Sequence, residues 1–332
     1  AAARLRTPPS RAGSALSADD LEGILAGLDE PVPPGHRCGV VALVGRPNVG
    51  KSTLLNHLAG QKVAIVTRVP GTTRSAVRAV LTRPGAQLVL VDTPGVGKPR
   101  TAMGQRMNRL VRDVWSGVDA VAFLVDAAAG IGAGDAYLAE ELRQAGAPVV
   151  TVVTKIDLLR RPEDLLPVLA RIGELTEGPP FDEVVPVSAV AGENTARLEE
   201  VLTAHLPEAP RLFPTGRVSD QPAEVLAAEV VREKVMADLA DELPHSVAVT
   251  VDGVTPDEHA EDLVHVEAVI HVERDSQKGI VIGRGGERLK AAGTAARLEL
   301  EALLGVRVHL ATRVKVAPGW QDDPRQLGRL GL

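Results

Sequence analysis

Short apolar runs recur along the first two thirds of the chain and alternate with stretches of helical spacing. The runs are Val40–Val44, Gln87–Val91, Ala120–Val125, Val149–Val153 and Glu183–Val187. This alternation predicts βαβ units with right-handed crossovers, and therefore a mainly parallel sheet within residues 38–206. One further strand, roughly Ala76–Thr82, should pair antiparallel with Gln87–Val91 through a turn at Arg83-Pro84-Gly85. An α/β domain is the expected class.

A different pattern follows a proline-containing stretch at residues 207–222, which we interpret as a linker. Residues 223–318 are expected to form a smaller α+β domain with the order α-β-β-α-α-β. Its elements are a helix at Ala223–Glu242, strands at Ser246–Val251 and Leu263–Glu273, two helices ending near Leu304, and a strand at Val306–Val316. Residues 319–332 are expected to form a C-terminal tail.

Residues 1–37 contain Pro, Gly and Ser clusters that suit a flexible extension better than packed structure. A short helix at Asp19–Leu28 could be capped by Ser17, and its apolar residues share one face. We favour a solvated extension over a functional arm.

The composition narrows the function classes. The chain has 332 residues and 45% hydrophobic content, enough for two cores, but only 2% aromatic residues, so nucleic-acid binding on aromatic platforms is poorly supplied. The single cysteine, Cys38, excludes an internal disulfide or a cysteine-based metal site and fits a reducing compartment. Because no apolar run approaches the ~18 residues of a membrane span and no signal peptide is evident, we expect a cytoplasmic protein.

Candidate chemistry begins with Gly45-Arg46-Pro47-Asn48-Val49-Gly50-Lys51-Ser52, followed by Thr53. The spacing of the two glycines and the Lys-Ser pair, between a predicted strand and a predicted helix, is typical of a phosphate-binding loop. Backbone N–H groups in such a loop point inward, and the N-terminal end of the next helix adds positive potential. Lys51 is expected to reach the β and γ phosphates and Ser52 to bind Mg²⁺, so the stretch predicts a nucleoside triphosphate site.

The motif Asp92-Thr93-Pro94-Gly95 ends the strand Gln87–Val91, at the sheet edge where a nucleotide is expected. Asp92 can hold Mg²⁺ through water, and the Gly95 N–H can meet the γ phosphate. Val96 follows where a catalytic glutamine could stand. Since valine cannot orient water, hydrolysis must depend on backbone groups, bound cations or a partner, and slow intrinsic turnover is predicted.

The stretch Val69-Pro70-Gly71-Thr72-Thr73-Arg74 has the character of a switch loop. A threonine hydroxyl there can complete the metal shell only when the γ phosphate is present. We assign this role to Thr73 rather than Thr72. The predicted metal ligands are therefore Ser52, Thr73 and Asp92, and Lys51, Thr73 and Gly95 are expected to act at the γ phosphate.

Two motifs point to guanine. Thr154-Lys155-Ile156-Asp157 follows the strand Val149–Val153, and a carboxylate at Asp157 can accept hydrogen bonds from guanine N1 and N2, for which adenine has no matching edge. Ser188-Ala189 can present a backbone amide to guanine O6. The expected nucleotide contacts are Gly45, Asn48, Val49, Gly50, Lys51, Ser52, Thr53, Asp92, Thr154, Lys155, Asp157, Ser188 and Ala189.

The second domain carries Gly283-Arg284-Gly285-Gly286 between its last two predicted helices. A Gly-x-x-Gly turn there lets a backbone clamp single-stranded nucleic acid, as in a K-homology (KH) domain. The net charge of the chain is −6, yet residues 211–273 balance to −10 and residues 274–315 to +5. This segregation favours RNA contact at the turn. The predicted RNA-binding residues are Lys278, Ile282, Gly283, Arg284, Gly285, Gly286 and Lys290.

With these motifs in place, the chain resembles the Era family of bacterial GTPases over about residues 38–332. The stretches that carry the resemblance are Gly45–Thr53, Thr72–Arg74, Asp92–Gly95, Arg232–Lys234, Glu242–Ser246, Gln277–Gly286, Val314–Val316, Gly319-Trp320 and Asp322-Asp323. The resemblance implies a GTPase that binds GTP, GDP and Mg²⁺, with K⁺ beside Asn48. It also implies a KH domain that engages the 3′ region of 16S ribosomal RNA during 30S subunit assembly and, for some members, peripheral membrane association. We expect a monomer.

The chain departs from the family pattern at two places. Thr154 replaces an asparagine whose amide would brace the phosphate loop and touch the base, so a lower nucleotide affinity is expected. Val69-Pro70-Gly71 resembles the tandem-domain ribosome-assembly GTPases instead. Two alternatives stay open: an RNA-binding module with an inactive nucleotide domain, and a small-molecule kinase, for which the KH turn has no purpose.

Overall fold

A computed structural model describes residues 31–67, 69–97, 101–237, 239 and 246–332. The helix predicted at Asp19–Leu28 lies outside these residues. No helix in the described part of the chain is long and apolar enough to cross a membrane.

A six-stranded sheet forms the centre of the first domain, in the order β2-β3-β1-β4-β5-β6. The strands are β1 (Arg37–Gly45), β2 (Val77–Arg83), β3 (Ala86–Asp92), β4 (Ala120–Asp126), β5 (Val149–Thr154) and β6 (Phe181–Pro186). All neighbouring strands are parallel except β2, which runs antiparallel to β3 with Arg83 opposite Ala86. The predicted α/β class with one antiparallel strand is confirmed.

Helices cover both faces of this sheet: α1 (Lys51–Ala59), α2 (Ala102–Trp115), α3 (Ala133–Leu142), α4 (Leu165–Leu175) and α5 (Thr195–Ala204). On one face Leu54 of α1 and Leu202 of α5 belong to the same buried cluster as Leu43 of β1. On the other, Trp115 of α2 lies in one cluster with Phe123 of β4. Since helices shield both sides, the central strands can be almost continuously apolar, which explains the runs in the sequence.

The linker lies along the first domain and is held there by Gln87 of β3. Gln87 is wholly buried; its Oε1 accepts from the backbone N–H of Leu212 (2.8 Å) and Phe213 (2.9 Å), and its Nε2 donates to the Phe213 carbonyl (2.8 Å). A buried amide is tolerated when its polar atoms have partners, so the polar side chain in an apolar strand fixes the path of the linker.

The second domain has the predicted α-β-β-α-α-β order of a KH fold, which is confirmed. Its elements are α6 (Ala223–Ala237), β7 (Ala248–Pro256), β8 (Leu263–Val272), α7 (Asp275–Ile282), α8 (Glu287–Leu304) and β9 (Arg307–Val316). Strand β8 is central, antiparallel to β7 and parallel to β9. Helix α6 is described to Ala237; residues 238 and 240–245, which include its predicted end, lie outside the described residues. Val231, Ile270 and Leu300 lie in one buried core.

The C-terminal residues are packed against both domains. Trp320 is wholly buried, and its Nε1 donates to the Ser246 carbonyl (3.3 Å). Asp323 caps a short helix, α9 (Pro324–Arg329), through hydrogen bonds from the first-turn N–H groups. The backbone N–H of Met103 in α2 donates to the Gln321 carbonyl (3.0 Å), so residues 319–332 also contact the first domain.

Candidate functional site

The phosphate loop connects β1 to α1 at the carboxyl end of the sheet. It borders a cavity of about 320 Å³ whose other walls include Thr73, Gly95 and Lys155. The Lys51 Nζ lies inside the loop and donates to the carbonyls of Gly45 (3.1 Å) and Arg46 (3.0 Å). Burial lowers the pKa of Lys51 to about 8, while the nearby Asp92 acts in the opposite direction. A buried ammonium that lines this cavity is suited to binding phosphate.

The three predicted metal ligands lie together beside this loop. Asp92 Oδ2 accepts from the Ser52 hydroxyl (2.5 Å) and the Thr73 hydroxyl (3.2 Å), and the two hydroxyl oxygens are 3.3 Å apart. Asp92 is wholly buried, and its Oδ1 has no hydrogen-bond partner among the described residues. Burial raises the pKa of Asp92, whereas Lys51 lowers it. Two hydroxyls and one carboxylate with an unused oxygen form a donor set of the kind Mg²⁺ prefers.

Thr72 takes a different direction from Thr73. Its hydroxyl is buried and donates to the Val69 carbonyl (2.7 Å), within its own segment. The structure therefore places Thr73, and not Thr72, beside Ser52 and Asp92.

Gly95 lies directly against the phosphate loop. A Cβ at this position would be 2.7 Å from both the backbone N and the Cα of Pro47, closer than real Cβ atoms come. Only glycine allows the two segments to approach so closely. The next residue, Val96, is buried in the cluster that contains Trp115 and Phe123. Its side chain belongs to the core and supplies no polar group at the site.

The guanine motif lies at the end of β5. Lys155 has φ 60°, and its Nζ donates to the Asn48 carbonyl (2.6 Å) and to Asp126 (2.6 Å), so it joins the two loops. Asp157 lies in the 3-10 turn Ile156–Leu158 with its side chain exposed. Ser188 is wholly buried, and its Oγ accepts from the Ala191 N–H (3.0 Å), which shapes the turn that carries Ala189.

Thr154 replaces the expected brace instead of removing it. Its buried hydroxyl lies 2.7 Å from the Val49 carbonyl, to which it donates, and 3.2 Å from the Val125 carbonyl. The expectation that the loop loses a brace at this position is therefore wrong, because a hydroxyl is long enough to reach the loop backbone. The hydroxyl replaces only the brace to the loop, and not the contact with the base that an asparagine amide would add.

Two residues near the site were missed by sequence reasoning. Asp126 ends β4; its Oδ1 accepts from the N–H groups of Ala128 and Ala129 (2.9 Å each), and its Oδ2 meets Lys155. An acidic residue at the end of a strand, as at Asp92, is a sequence signal by which Asp126 could have been found. Arg46 ties the phosphate loop to the start of α3 by donating to wholly buried Asp135 (2.8 Å). No local pattern indicated this pair.

The Gly-x-x-Gly turn lies between α7 and α8 as predicted. Gly283 has φ 76° and ψ 176°, a conformation open mainly to glycine, and a Cβ there would be 2.9 Å from the Arg288 side chain. Arg284, Gly285 and Lys290 are exposed, whereas Lys278 and Ile282 are half-buried. Beside the turn, between α8 and β9, is a groove of about 380 Å³ lined by Gly286, Leu289, Lys290, Gly293, Thr294, Arg297, Leu310 and Thr312.

Comparison with protein families identifies both parts of the chain. A family described as "50S ribosome-binding GTPase" matches residues 40–155, and the KH domain family matches residues 242–321. "GTPase Era" of Mycobacterium tuberculosis H37Rv is 49% identical over 297 residues, covering 89% of this chain and 98% of the relative. "GTPase Era" of Mycobacterium sp. KMS is 50% identical over 299 residues, covering 89% and 99%.

Two solved structures share the complete architecture. A variant of Era from Aquifex aeolicus bound to GDP and AlF₄⁻ superposes with a TM-score of 0.86 at 37% identity, over 89% of this chain and 99% of that one. Era in complex with MgGDPNP and nucleotides 1506–1542 of 16S ribosomal RNA superposes with the same TM-score, 0.86, at 37% identity and with the same coverage, 89% and 99%.

The contact of Gly95 with Pro47 predicts a strong effect of a single methyl group. Gly95→Ala forces one backbone to move, and overpacking of this kind costs about 1–3 kcal/mol. We expect the affinity for GTP, measured by titration, to fall about tenfold or more. Gly97→Ala is the matched control, since a Cβ there meets nothing within 4 Å. Equal affinities for the two variants would contradict the argument.

The Thr154 brace predicts that the hydroxyl matters and the methyl group does not. Thr154→Val leaves the Val49 carbonyl without its partner, and an unsatisfied buried carbonyl costs about 1–3 kcal/mol. We expect GDP affinity to fall about tenfold, by isothermal titration, as the loop relaxes. Thr154→Ser keeps the hydroxyl and should bind within about twofold of the original chain. The role of the brace is refuted if the valine variant binds as tightly as the serine variant.

Proposed function

The chain belongs to the Era family of GTPases, and from this premise we propose that it is a GTP-controlled switch that binds 16S ribosomal RNA and assists assembly of the 30S subunit. The observation that carries the proposal is the presence, in one chain, of a complete guanine-nucleotide site and a Gly-x-x-Gly turn with exposed basic residues. Era structures of the same architecture have been solved with GDP and AlF₄⁻ and with MgGDPNP and 16S ribosomal RNA.

The RNA site in this proposal is the turn and the groove beside it. Arg284 and Lys290 are exposed cations that can pair with phosphates. The other residues of the turn at Gly283–Gly286 are glycines, so an RNA backbone can approach the protein backbone closely. The groove lies between α8 and β9 and offers Thr294, Arg297 and Thr312 as hydrogen-bonding groups. Unstacked bases can be read in such a groove by their edges, which suits a chain with few aromatic residues.

In the proposed switch, Ser52, Thr73 and Asp92 would hold Mg²⁺, which would supply positive charge beside the β and γ phosphates. Lys51 and the loop N–H groups bind the phosphates, and Gly95 presents its N–H to the γ phosphate. Loss of the γ phosphate would free Thr73 from the metal site, and with it the switch segment, Val69–Arg74. Because Val96 is a core residue, hydrolysis is proposed to be slow without a partner or a cation such as K⁺ beside Asn48.

The proposal includes the location of the protein. We place a monomeric chain in the cytoplasm, which suits its single cysteine. We add peripheral association at the inner face of the membrane because the family resemblance implies it for some members. Co-sedimentation with vesicles of mixed anionic and zwitterionic lipid tests the membrane part. A chain that stays in the supernatant at low salt would remove membrane association from the proposal.

The RNA site is tested by reversing charge at the turn. Arg284→Asp with Gly285→Asp introduces repulsion of the RNA backbone, and we expect affinity for a fragment of the 3′ region of 16S ribosomal RNA to fall at least about tenfold. GTP affinity should stay unchanged. The control is Arg171→Asp with Gly173→Asp, the same change in charge on exposed positions of α4 in the first domain.

Binding is measured with GDP and with a non-hydrolysable GTP analogue. Unchanged RNA affinity in the turn variant would exclude the turn as the clamp. Equal RNA affinity of the original chain in both nucleotide states would remove the switch from the proposal and leave an RNA-binding GTPase.

A further inference from the structure

The stretch Arg232-Glu233-Lys234 on α6 has no part in binding nucleotide or in the predicted RNA site, yet it faces the switch segment. Arg232 belongs to the KH domain and has only 1% of its surface exposed. Its Nη2 donates to the backbone carbonyl of Thr72 (2.5 Å), the residue before Thr73. Its Nε and Nη2 also donate to Glu229 (2.9 and 2.6 Å), one turn earlier on the same helix. The guanidinium thus joins α6 to the switch backbone.

Glu233 contacts two residues that precede the switch segment. Its carboxylate accepts from the Val66 N–H (3.2 Å) and pairs with Lys62 (2.7 Å). Glu299 of α8 pairs with both Lys62 and Lys234, which closes a network of two lysines and two glutamates between the domains. Lys62 therefore lies beside both α6 and α8, and Val66 lies beside α6.

Arg74, the residue after Thr73, is anchored to the KH domain as well. Its Nη1 donates to the Val247 carbonyl (2.6 Å), and its guanidinium lies over the Trp320 ring, 5.3 Å from the centroid. Burial and the neighbouring Arg232 lower the pKa of Arg74 to about 9, while Glu229 raises it. Two guanidinium groups thus share a buried pocket with one carboxylate.

These contacts place Thr73 between two points held by the other domain. The carbonyl of Thr72 and the side chain of Arg74 are both fixed by the KH domain, and the Thr73 hydroxyl meets Ser52 and Asp92. Since adjacent Cα atoms are about 3.8 Å apart, fixing both neighbours leaves the Thr73 backbone little room to move.

We propose that Arg232 is a positioning residue for GTP hydrolysis, supplied by the KH domain: it holds the Thr72 carbonyl so that the Thr73 hydroxyl lies at the metal site. The inference relies on the Mg²⁺ site of the proposed function and on no RNA contact. Arginine suits this role because its planar fork can donate to Glu229 and to Thr72 at once. A lysine could reach one of the two as a point charge.

The test compares Arg232→Met and Arg232→Lys with Arg307→Met in the full-length chain. Arg307 makes a bidentate pair with Asp262 (2.8 and 2.7 Å) at the surface of the same domain, so its loss controls for removing one arginine from an ion pair. Hydrogen exchange of residues 63–76 is measured by mass spectrometry without nucleotide or Mg²⁺. The kcat for GTP and the Mg²⁺ concentration giving half-maximal rate are measured separately.

We expect Arg232→Met to speed amide exchange of residues 63–76 about tenfold, lower kcat about tenfold and raise the Mg²⁺ requirement, since a hydrogen bond to a charged donor is lost. Arg232→Lys should recover part of each effect, and Arg307→Met should change none. Amide exchange and Mg²⁺ dependence within twofold of the original chain in a folded Arg232→Met variant would overturn the proposal.

A second variant covers the case in which Arg232→Met does not fold. Glu233→Gln keeps the size of the side chain but weakens the Lys62 and Val66 contacts, so it should loosen the same segment and raise the Mg²⁺ requirement to a smaller degree. If neither Arg232→Lys nor Glu233→Gln changes exchange in residues 63–76, the proposal is wrong. If the original chain does not hydrolyse GTP, the proposed GTPase site is wrong. The hydrogen-exchange experiment is independent of that result, because it is measured without nucleotide.

Discussion

The nucleotide site depends on one buried carboxylate. Asp92 ends β3 with no exposed surface, and two other segments meet it: the phosphate loop with Lys51 and Ser52, and the switch segment with Thr73. A buried charge is unfavourable without partners, so the phosphate loop, the switch segment and the strand end must be assembled together for the site to exist. Within the part of the chain that the structure describes, Asp92 Oδ1 has no hydrogen-bond partner, and the Lys51 ammonium lies inside the phosphate loop. Together they suit a site for a cation and a phosphate.

Buried polar groups with hydrogen-bond partners also join the two domains. Glu229 pairs with the buried Arg232. In addition, Arg232 donates to the backbone carbonyl of Thr72, and Arg74 donates to that of Val247. Carbonyl groups of a loop can be moved only with the loop. If Arg232 positions the switch segment as proposed, the position of the KH domain and that of the switch segment are coupled, and such a coupling acts in both directions.

Local patterns were sufficient for much of the fold. The central strands β1, β3, β4 and β5 are buried on both faces, and their apolar runs are long enough to be recognised. The elements around the Gly-x-x-Gly turn are recognisable as well. The same reasoning failed where a contact is long-range. Thr154 was expected to weaken the loop because the sequence shows a missing amide, whereas the fold brings its hydroxyl to Val49. The tail at residues 319–332 showed no strong period, yet Trp320 is among the most buried side chains.

The sequence by itself determined the order of the elements and the motifs that they carry, and from these motifs it predicted which residues bind phosphate, guanine and RNA. Short spacing rules suffice for this because a phosphate loop or a Gly-x-x-Gly turn is built from neighbouring residues. Only the tertiary structure decided which threonine contacts Asp92, which side chain braces the phosphate loop, and which residues of the KH domain contact the switch segment. Those answers depend on contacts such as Arg232 with Thr72, which are 160 positions apart, and no local period records them.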